Sequence, residues 1–187
     1  MGRNYVSNTV DGQIAVITGG TRGIGRAIAE SLLAAGASVA ITGRDARKAD
    51  DLVERWGPTG RFLVIQADMS TKDGVEKSFD KTEERFGPVN IAVLNAGGVD
   101  KSTPIAVMTD EEWEFELNLN LNHTFWGMRR ALRSMIPHKA GRIIAVSSIE
   151  GKHGKANVAG YTANKHAING LVKAAAREVG KDGIGIM

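Results

Sequence analysis

Residues 18–25 read Thr18-Gly19-Gly20-Thr21-Arg22-Gly23-Ile24-Gly25, and they lie between a short β-branched run and a segment of helical period. Glycines in this context permit a tight turn and a close approach of the backbone to a ligand. The helix that follows offers free N–H groups and the positive end of its dipole, which suit a pyrophosphate. The alternative is a glycine-rich turn without a ligand, and the βαβ surroundings favour the phosphate loop.

Short apolar runs alternate with longer helical segments along the whole chain. The runs are 14–18, 38–42, 62–66, 91–94 and 142–147, with a last one at 184–187. Runs that are apolar on both faces suit a parallel sheet covered by helices on both sides. Apolar stripes of helical spacing lie within 24–35, 75–86, 117–135 and 163–179, and Ser70 with Asp73 resembles a capping box before the second stripe. This order predicts a doubly wound α/β sheet, the Rossmann fold.

Composition excludes several classes of protein. The 187 residues are 42% hydrophobic and 24% charged, which suffices for one domain with a sizeable core. The absence of cysteine excludes disulfides, thiolate metal sites and cysteine nucleophiles. A net charge of +3 does not indicate nucleic-acid binding, and no apolar run approaches the length of a membrane span. We therefore expect a cytoplasmic protein with neither of these partners, forming one domain over 1–187 with 1–11 as an N-terminal tail.

The end of the second run bears on which dinucleotide would bind. An Asp or Glu there bonds the ribose 2′-hydroxyl of NAD, whereas an Arg accommodates the 2′-phosphate of NADP. This chain has Thr42-Gly43-Arg44, and Arg22 in the glycine-rich loop is a second cation that could reach the same group. Both arginines could instead be solvated surface side chains. Their coincidence at the two expected places favours NADP(H) over NAD(H).

Tyr161 and Lys165 lie four residues apart at the start of the last helical segment, so they share one helix face. A fixed cation beside a phenol stabilises its ionised form, which suits the phenol to proton transfer near neutral pH. Ser148 ends the fifth run, thirteen residues before Tyr161. Because the carboxyl ends of parallel strands face the ligand crevice, these three side chains are expected to meet there.

With these residues the sequence resembles the classical short-chain dehydrogenase/reductase family over nearly its whole length. The matching residues, in the family's order, are Thr18-Gly19-x3-Gly23-x-Gly25, Asp68, Asn95-Ala96-Gly97, Asn120, Ser148 and Tyr161-x3-Lys165. The resemblance implies a catalytic tetrad of Asn120, Ser148, Tyr161 and Lys165. Asn120 is preferred to Asn118 and Asn122 because it lies seven residues after Trp113, as the family pattern expects. The implied cofactor-binding residues are Gly19, Thr21, Arg22, Gly23, Ile24, Gly25, Arg44, Asp68, Met69, Asn95, Ala96, Gly97, Tyr161 and Lys165.

The chemistry implied by the resemblance is hydride transfer between NADP(H) and a ketone or secondary alcohol, with an oxoacyl or polyketide-type substrate among the options. Tyr161 would act as general acid and base, Ser148 would hold the reacting oxygen, and Asn120 would hold a water that relays protons. Lys165 would assist Tyr161 and bind the nicotinamide ribose. The polar segment 150–157 either favours an anionic or carrier-linked substrate or is a solvent-facing loop. The four histidines lack metal spacing, so no metal site is expected.

Family members continue beyond the sixth strand, so the chain is expected to end within that strand and to be C-terminally incomplete. The alternative function is therefore a truncated or catalytically impaired nucleotide-binding relative with a regulatory role or no enzymatic role. By resemblance, the helices within 113–136 and 161–179 pair across a subunit boundary, which implies a homodimer or homotetramer.

Overall fold

The computed structural model describes residues 10–187, so residues 1–9 of the expected N-terminal tail lie outside it. Its sheet has six strands: β1 Ile14–Ile17, β2 Ser38–Gly43, β3 Phe62–Gln66, β4 Ile91–Leu94, β5 Gly141–Ala145 and β6 Ile184–Ile186. They lie in the order β3-β2-β1-β4-β5-β6, and every neighbouring pair is parallel. The predicted doubly wound sheet is confirmed.

Helices cover both faces of this sheet. They are α1 Gly23–Ala34, α2 Asp50–Trp56, α3 Lys72–Phe86, α4 Asp110–Leu117, α5 His123–Met135 and α6 Ala159–Val179. Alternate strand residues enter opposite apolar layers, since Ile17 packs with α1 and α2 while its neighbour Val16 packs with α3, α5 and α6. This alternation follows from the two-residue period of a strand, and it explains why the strands are apolar on both faces.

One local prediction needs correction and another needs refinement. The N-cap of α3 is Thr71, whose hydroxyl accepts the N–H of Gly74 at 3.0 Å, so the capping box predicted at Ser70 is wrong. The Ser70 hydroxyl instead donates to Asp68 at 2.8 Å. The stripe at 117–135 is helical throughout, as predicted, but not uniformly α-helical, because a π-helical segment, Asn118–Asn122, joins α4 to α5. Its wider turn carries Asn120 into the interior, where the side chain is fully buried.

Candidate functional site

A crevice of about 580 Å³ opens at the carboxyl ends of the strands, beside the switch point between β1 and β4. Strands next to a switch point send their connections to opposite faces of the sheet, which leaves a gap between them. Most residues predicted to form the site line this crevice: Gly19, Thr21, Arg22, Gly23, Ile24, Arg44, Asp68, Met69, Asn95, Ala96, Gly97, Ser148, Tyr161 and Lys165. Gly25 and Asn120 lie outside this lining.

The glycine-rich loop after β1 is shaped by positions that only glycine fits well. Gly19 and Gly23 have φ values of +67° and +55°, in the left-handed region that favours glycine. A Cβ at Gly25 would lie 2.5 Å from the carbonyl oxygen of Gly19 and 2.6 Å from Nδ2 of Asn95. Gly25 therefore acts by letting α1 approach the loop closely, while the crevice itself is lined by the earlier glycines.

The loop after β4 holds the glycine-rich loop in place. The Asn95 amide donates to the carbonyl oxygens of Thr18 and Gly19 at 2.9 and 3.2 Å. The Thr18 hydroxyl in turn accepts the backbone N–H groups of Asn95 and Ala96 at 2.9 and 3.1 Å. These bonds occupy the loop's carbonyl groups, so the fully buried Thr18 orders the loop from behind.

The start of α1 can accept an anion. No side chain of the described residues caps this helix at Arg22, so its first-turn N–H groups remain available. Arg22 and Arg44 line the crevice, and neither makes an ion pair within residues 10–187. The nearby carboxylate of Asp45 is engaged by Arg47 at 3.0 Å. The crevice thus offers two cations and a helix N-terminus to a phosphate-bearing ligand.

Tyr161 and Lys165 lie in the first two turns of α6. The Lys165 ammonium is 5.5 Å from the centre of the Tyr161 ring and donates to the carbonyl oxygen of Val146 at 2.7 Å. Lys165 is only 4% exposed, and this burial lowers its pKa to about 8. The arrangement places a desolvated cation beside the ring of a phenol.

Ser148 is engaged by a residue that the sequence did not single out. Its hydroxyl donates a short hydrogen bond to the Glu150 carboxylate, while the Glu150 N–H donates to the Ser148 oxygen at 3.3 Å. The bond from Ser148 is the main reason that the pKa of Glu150 lies below its usual value. A ligand that needs the single O–H of Ser148 must therefore displace this carboxylate. The sequence feature that could have indicated this contact is the spacing of Ser148 and Glu150, a serine followed two residues later by a glutamate.

Asn120 lies behind the crevice, close to Lys165. Its Nδ2 donates to the carbonyl oxygens of Gly98 and Glu116 at 3.0 and 2.9 Å, and its Oδ1 accepts the N–H of Gly98 at 3.0 Å. A Cβ at Gly97 would lie 2.7 Å from this Oδ1 and 3.5 Å from the Lys165 ammonium. Glycine at position 97 is what allows the crevice backbone to pass between the two side chains.

The histidines and the polar segment 152–157 lie in different surroundings. His123 is fully buried, and burial together with the charge of Lys165 lowers its pKa to about 3, so its ring is neutral. His138, His153 and His166 are exposed, as is the whole segment 152–157. Within residues 10–187 no group of His, Asp and Glu side chains could hold a metal ion. No helix in the same range has the length and apolarity needed to cross a bilayer.

Comparison with known proteins shows the family. The profile described as short chain dehydrogenase matches residues 13–187. A 3beta-hydroxysteroid dehydrogenase of Mediterraneibacter gnavus is 36% identical over 183 residues, which cover 96% of this chain and 65% of that protein. An NADP-dependent (R)-specific alcohol dehydrogenase of Lentilactobacillus kefiri is 40% identical over 172 residues, covering 91% and 68%.

The fold agrees with this relationship. The crystal structure of a metagenomic short-chain oxidoreductase in complex with NADP superposes with a TM-score of 0.88 at 33% identity, covering 94% of this chain and 80% of that one. The chain therefore belongs to the short-chain dehydrogenase family, which confirms the resemblance predicted from sequence. It spans about two thirds of the length of the curated relatives described above.

Proposed function

We propose that this chain supplies the nucleotide-binding and catalytic residues of an NADP(H)-dependent oxidoreductase that interconverts a ketone and a secondary alcohol. One observation carries the proposal: the Ser148 hydroxyl, the Tyr161 phenol and the buried Lys165 ammonium line the same crevice as the glycine-rich loop. The family relationship and the dehydrogenase names of the two relatives support it.

The residues present fit a dinucleotide. The glycine-rich loop and the uncapped start of α1 would hold the pyrophosphate, and Asp68 and Met69 would border the adenosine half. Asn95, Ala96 and Gly97 line the middle of the crevice between the loop and Lys165. A nicotinamide cofactor, when bound, supplies or accepts the hydride.

NADP(H) is proposed over NAD(H) on the basis of charge. Arg22 and Arg44 lie at the crevice, and position 43 holds glycine rather than an acid that would repel a 2′-phosphate. The alcohol dehydrogenase relative is NADP-dependent, and the solved neighbour was crystallised with NADP. These findings support a 2′-phosphate site between the two arginines.

In the proposed reduction the Tyr161 phenol donates its proton to the substrate oxygen. The Ser148 hydroxyl leaves Glu150 and donates a hydrogen bond to the same oxygen as its charge develops. The Lys165 ammonium stabilises the phenolate that remains on Tyr161. Asn120 Oδ1 accepts one N–H and retains a second lone pair, with which it could hold a water that returns a proton toward Lys165. In the oxidation each proton moves in the reverse direction.

Arg44→Ala tests the cofactor assignment. We expect the KM for NADPH to rise about 10- to 100-fold with little change for NADH, because a charge-assisted bond to a phosphate contributes about 1.5–3 kcal/mol. The measurement is consumption of each reduced cofactor with acetophenone as a neutral ketone. Arg47→Ala is the matched control, since Arg47 is exposed and paired with Asp45.

Two results would count against the proposal. An unchanged NADPH-to-NADH preference in Arg44→Ala would remove Arg44 from the cofactor site. Binding of NADPH without turnover of any ketone tested would favour the alternative, a nucleotide-binding relative without enzymatic activity.

We also propose that the chain pairs with a second copy through α5 and α6. An apolar groove of about 390 Å³ lies between these helices, and Phe125 and Ile136 at its wall are 41% and 43% exposed. Its rim carries Arg133 and Glu178, so a two-fold pairing could bring opposite charges together. Sedimentation should show a dimer or tetramer that Phe125→Asp converts to a monomer. A monomeric parent chain would contradict this pairing.

A further inference from the structure

A buried carboxylate with no role in the proposed reaction lies beside the start of α6. Glu116, on α4, is only 2% exposed, and its Oε2 has no hydrogen-bond partner among residues 10–187. Leaving a buried carboxylate in this state costs free energy, which makes a passive packing role a poor explanation for it.

The contacts of this carboxylate point to the backbone that carries Tyr161. Residue 160 is glycine, and a Cβ there would overlap Oε2 of Glu116 and lie 3.5 Å from the Trp113 ring. Gly160 therefore lets the carboxylate rest directly on the first turn of α6. An alanine at this position would force the two elements apart.

The same turn needs an acceptor. The N-cap residue of α6, Val158, offers no side-chain cap, so the N–H groups of the first turn are open to an acceptor from another element. Burial raises the pKa of Glu116, while the N–H groups of Tyr161 and Asp100 favour its ionised form. Glu116 thus stands where an N-terminal cap of α6 is required. The other charged groups facing it, Asp100 and Glu112, both oppose its ionisation.

Glu116 also holds Asn120. Its backbone carbonyl oxygen accepts Nδ2 of Asn120 at 2.9 Å, across the junction between α4 and the π-helical segment. One residue therefore rests its carboxylate on Gly160, next to the proposed proton donor, and accepts the proposed water-holding amide through its carbonyl group.

We propose that Glu116 is a positioning residue, whose carboxylate rests on the first turn of α6 from α4 and so sets the position of Tyr161 relative to Asn120 in the crevice. This inference rests on the proposed function, in which Tyr161 and Asn120 handle the proton. Its physical basis is that a misplacement of about 1 Å can lower a rate about 100-fold.

The test is Glu116→Leu, which approximately keeps the side-chain volume and removes the carboxylate. We expect kcat for acetophenone reduction to fall at least tenfold, the Kd of NADPH to stay within twofold, and the melting temperature to stay equal or rise, because a buried carboxyl group whose Oε2 has no partner among residues 10–187 is removed. Glu116→Gln retains an acceptor oxygen and should restore most of the lost kcat. Glu114→Leu, at an exposed position of the same helix, is the control.

A second readout does not depend on turnover. Hydrogen exchange of the amides at 159–163 should be faster in Glu116→Leu than in the parent chain, and close to the parent rate in Glu116→Gln. Unchanged exchange, or a wild-type kcat in a folded Glu116→Leu, would overturn the inference while leaving the proposed oxidoreductase intact. A parent chain that turns over no ketone would instead overturn the proposed function, and faster exchange would then still support the contact between Glu116 and the first turn of α6.

The pairing with Gly160 gives an independent check. Gly160→Ala alone should lower kcat at least tenfold, because its Cβ overlaps the carboxylate. In the double variant Glu116→Ala/Gly160→Ala the overlap is gone. The fold-decrease in its kcat should therefore be smaller than the product of the fold-decreases measured for Glu116→Ala and for Gly160→Ala. A fold-decrease in kcat equal to that product would show that the two residues act separately and would contradict the proposed contact.

Discussion

Replacing Tyr161 with phenylalanine should lower turnover of a ketone by about 1,000-fold, because general acid–base catalysis by one side chain contributes about 10²–10⁴-fold. Phenylalanine keeps the ring and its contact with the Lys165 ammonium, which lies 5.5 Å from the ring centre. The change therefore removes the transferable proton and little else. Steady-state reduction of acetophenone with NADPH measures the loss, and fluorescence titration should show NADPH affinity within about twofold of the parent chain.

The paired measurements separate chemistry from binding. A Tyr161→Phe variant with turnover within tenfold of the parent would remove Tyr161 from the proton-transfer step. A variant that loses NADPH binding as well would show that the hydroxyl belongs to the cofactor site and not to the transfer itself.

Lys165→Met is expected to have opposite effects on activity and stability. Turnover should fall at least 100-fold, since no cation would stabilise the Tyr161 phenolate. Burial lowers the pKa of Lys165 from 10.5 to about 8, which corresponds to about 3 kcal/mol of destabilisation at neutral pH. Losing the bond to the Val146 carbonyl group offsets about 1 kcal/mol, so the melting temperature at pH 7 should rise by about 4–8 °C.

The pH dependence of the free energy of unfolding tests whether the burial of Lys165 destabilises the folded chain. Between pH 8 and 10.5 the unfolded chain binds more protons at this lysine than the folded chain, so the free energy of unfolding rises with pH in that interval. Below pH 8 the lysine is charged in both states and the full penalty remains. Lys165→Met should lack this rise, and Lys173→Met, at an exposed position of α6, should keep it. Equal pH profiles for all three chains would show that Lys165 is not destabilised by burial.

The chemistry-bearing residues were accessible to sequence reasoning to different degrees. Ser148 comes at the end of a strand, and Tyr161 and Lys165 lie four residues apart on one helix face. Their convergence on one crevice could therefore be predicted from sequence. Arg22 and Arg44 were placed by their position after β1 and β2. Their pairing with a 2′-phosphate stays a prediction, because electrostatic preference depends on the bound ligand.

The residues that the sequence did not indicate are those that act through contacts between distant segments. Glu116 belongs to no motif or spacing that would mark it in the sequence. Glu150 lay in a segment read for its positive charge, yet its carboxylate engages Ser148. Across the π-helical segment Asn118–Asn122 the apolar residues keep the spacing of an ordinary α-helix. Over so few residues, periodicity alone could not distinguish a π-helix from an α-helix.

By itself the sequence determined the doubly wound sheet, the glycine-rich turn after β1 and the family, because each depends on local periodicity, turn chemistry or ordered motifs along the chain. Only the tertiary structure decided that Gly25 supports the loop from outside the crevice, that Glu150 competes for the Ser148 hydroxyl, and that Glu116 rests on Gly160. The physical reason is that burial and side-chain contact depend on how separate elements pack. The charge of a carboxylate or the freedom of a hydroxyl is therefore set by neighbours that are remote in the chain.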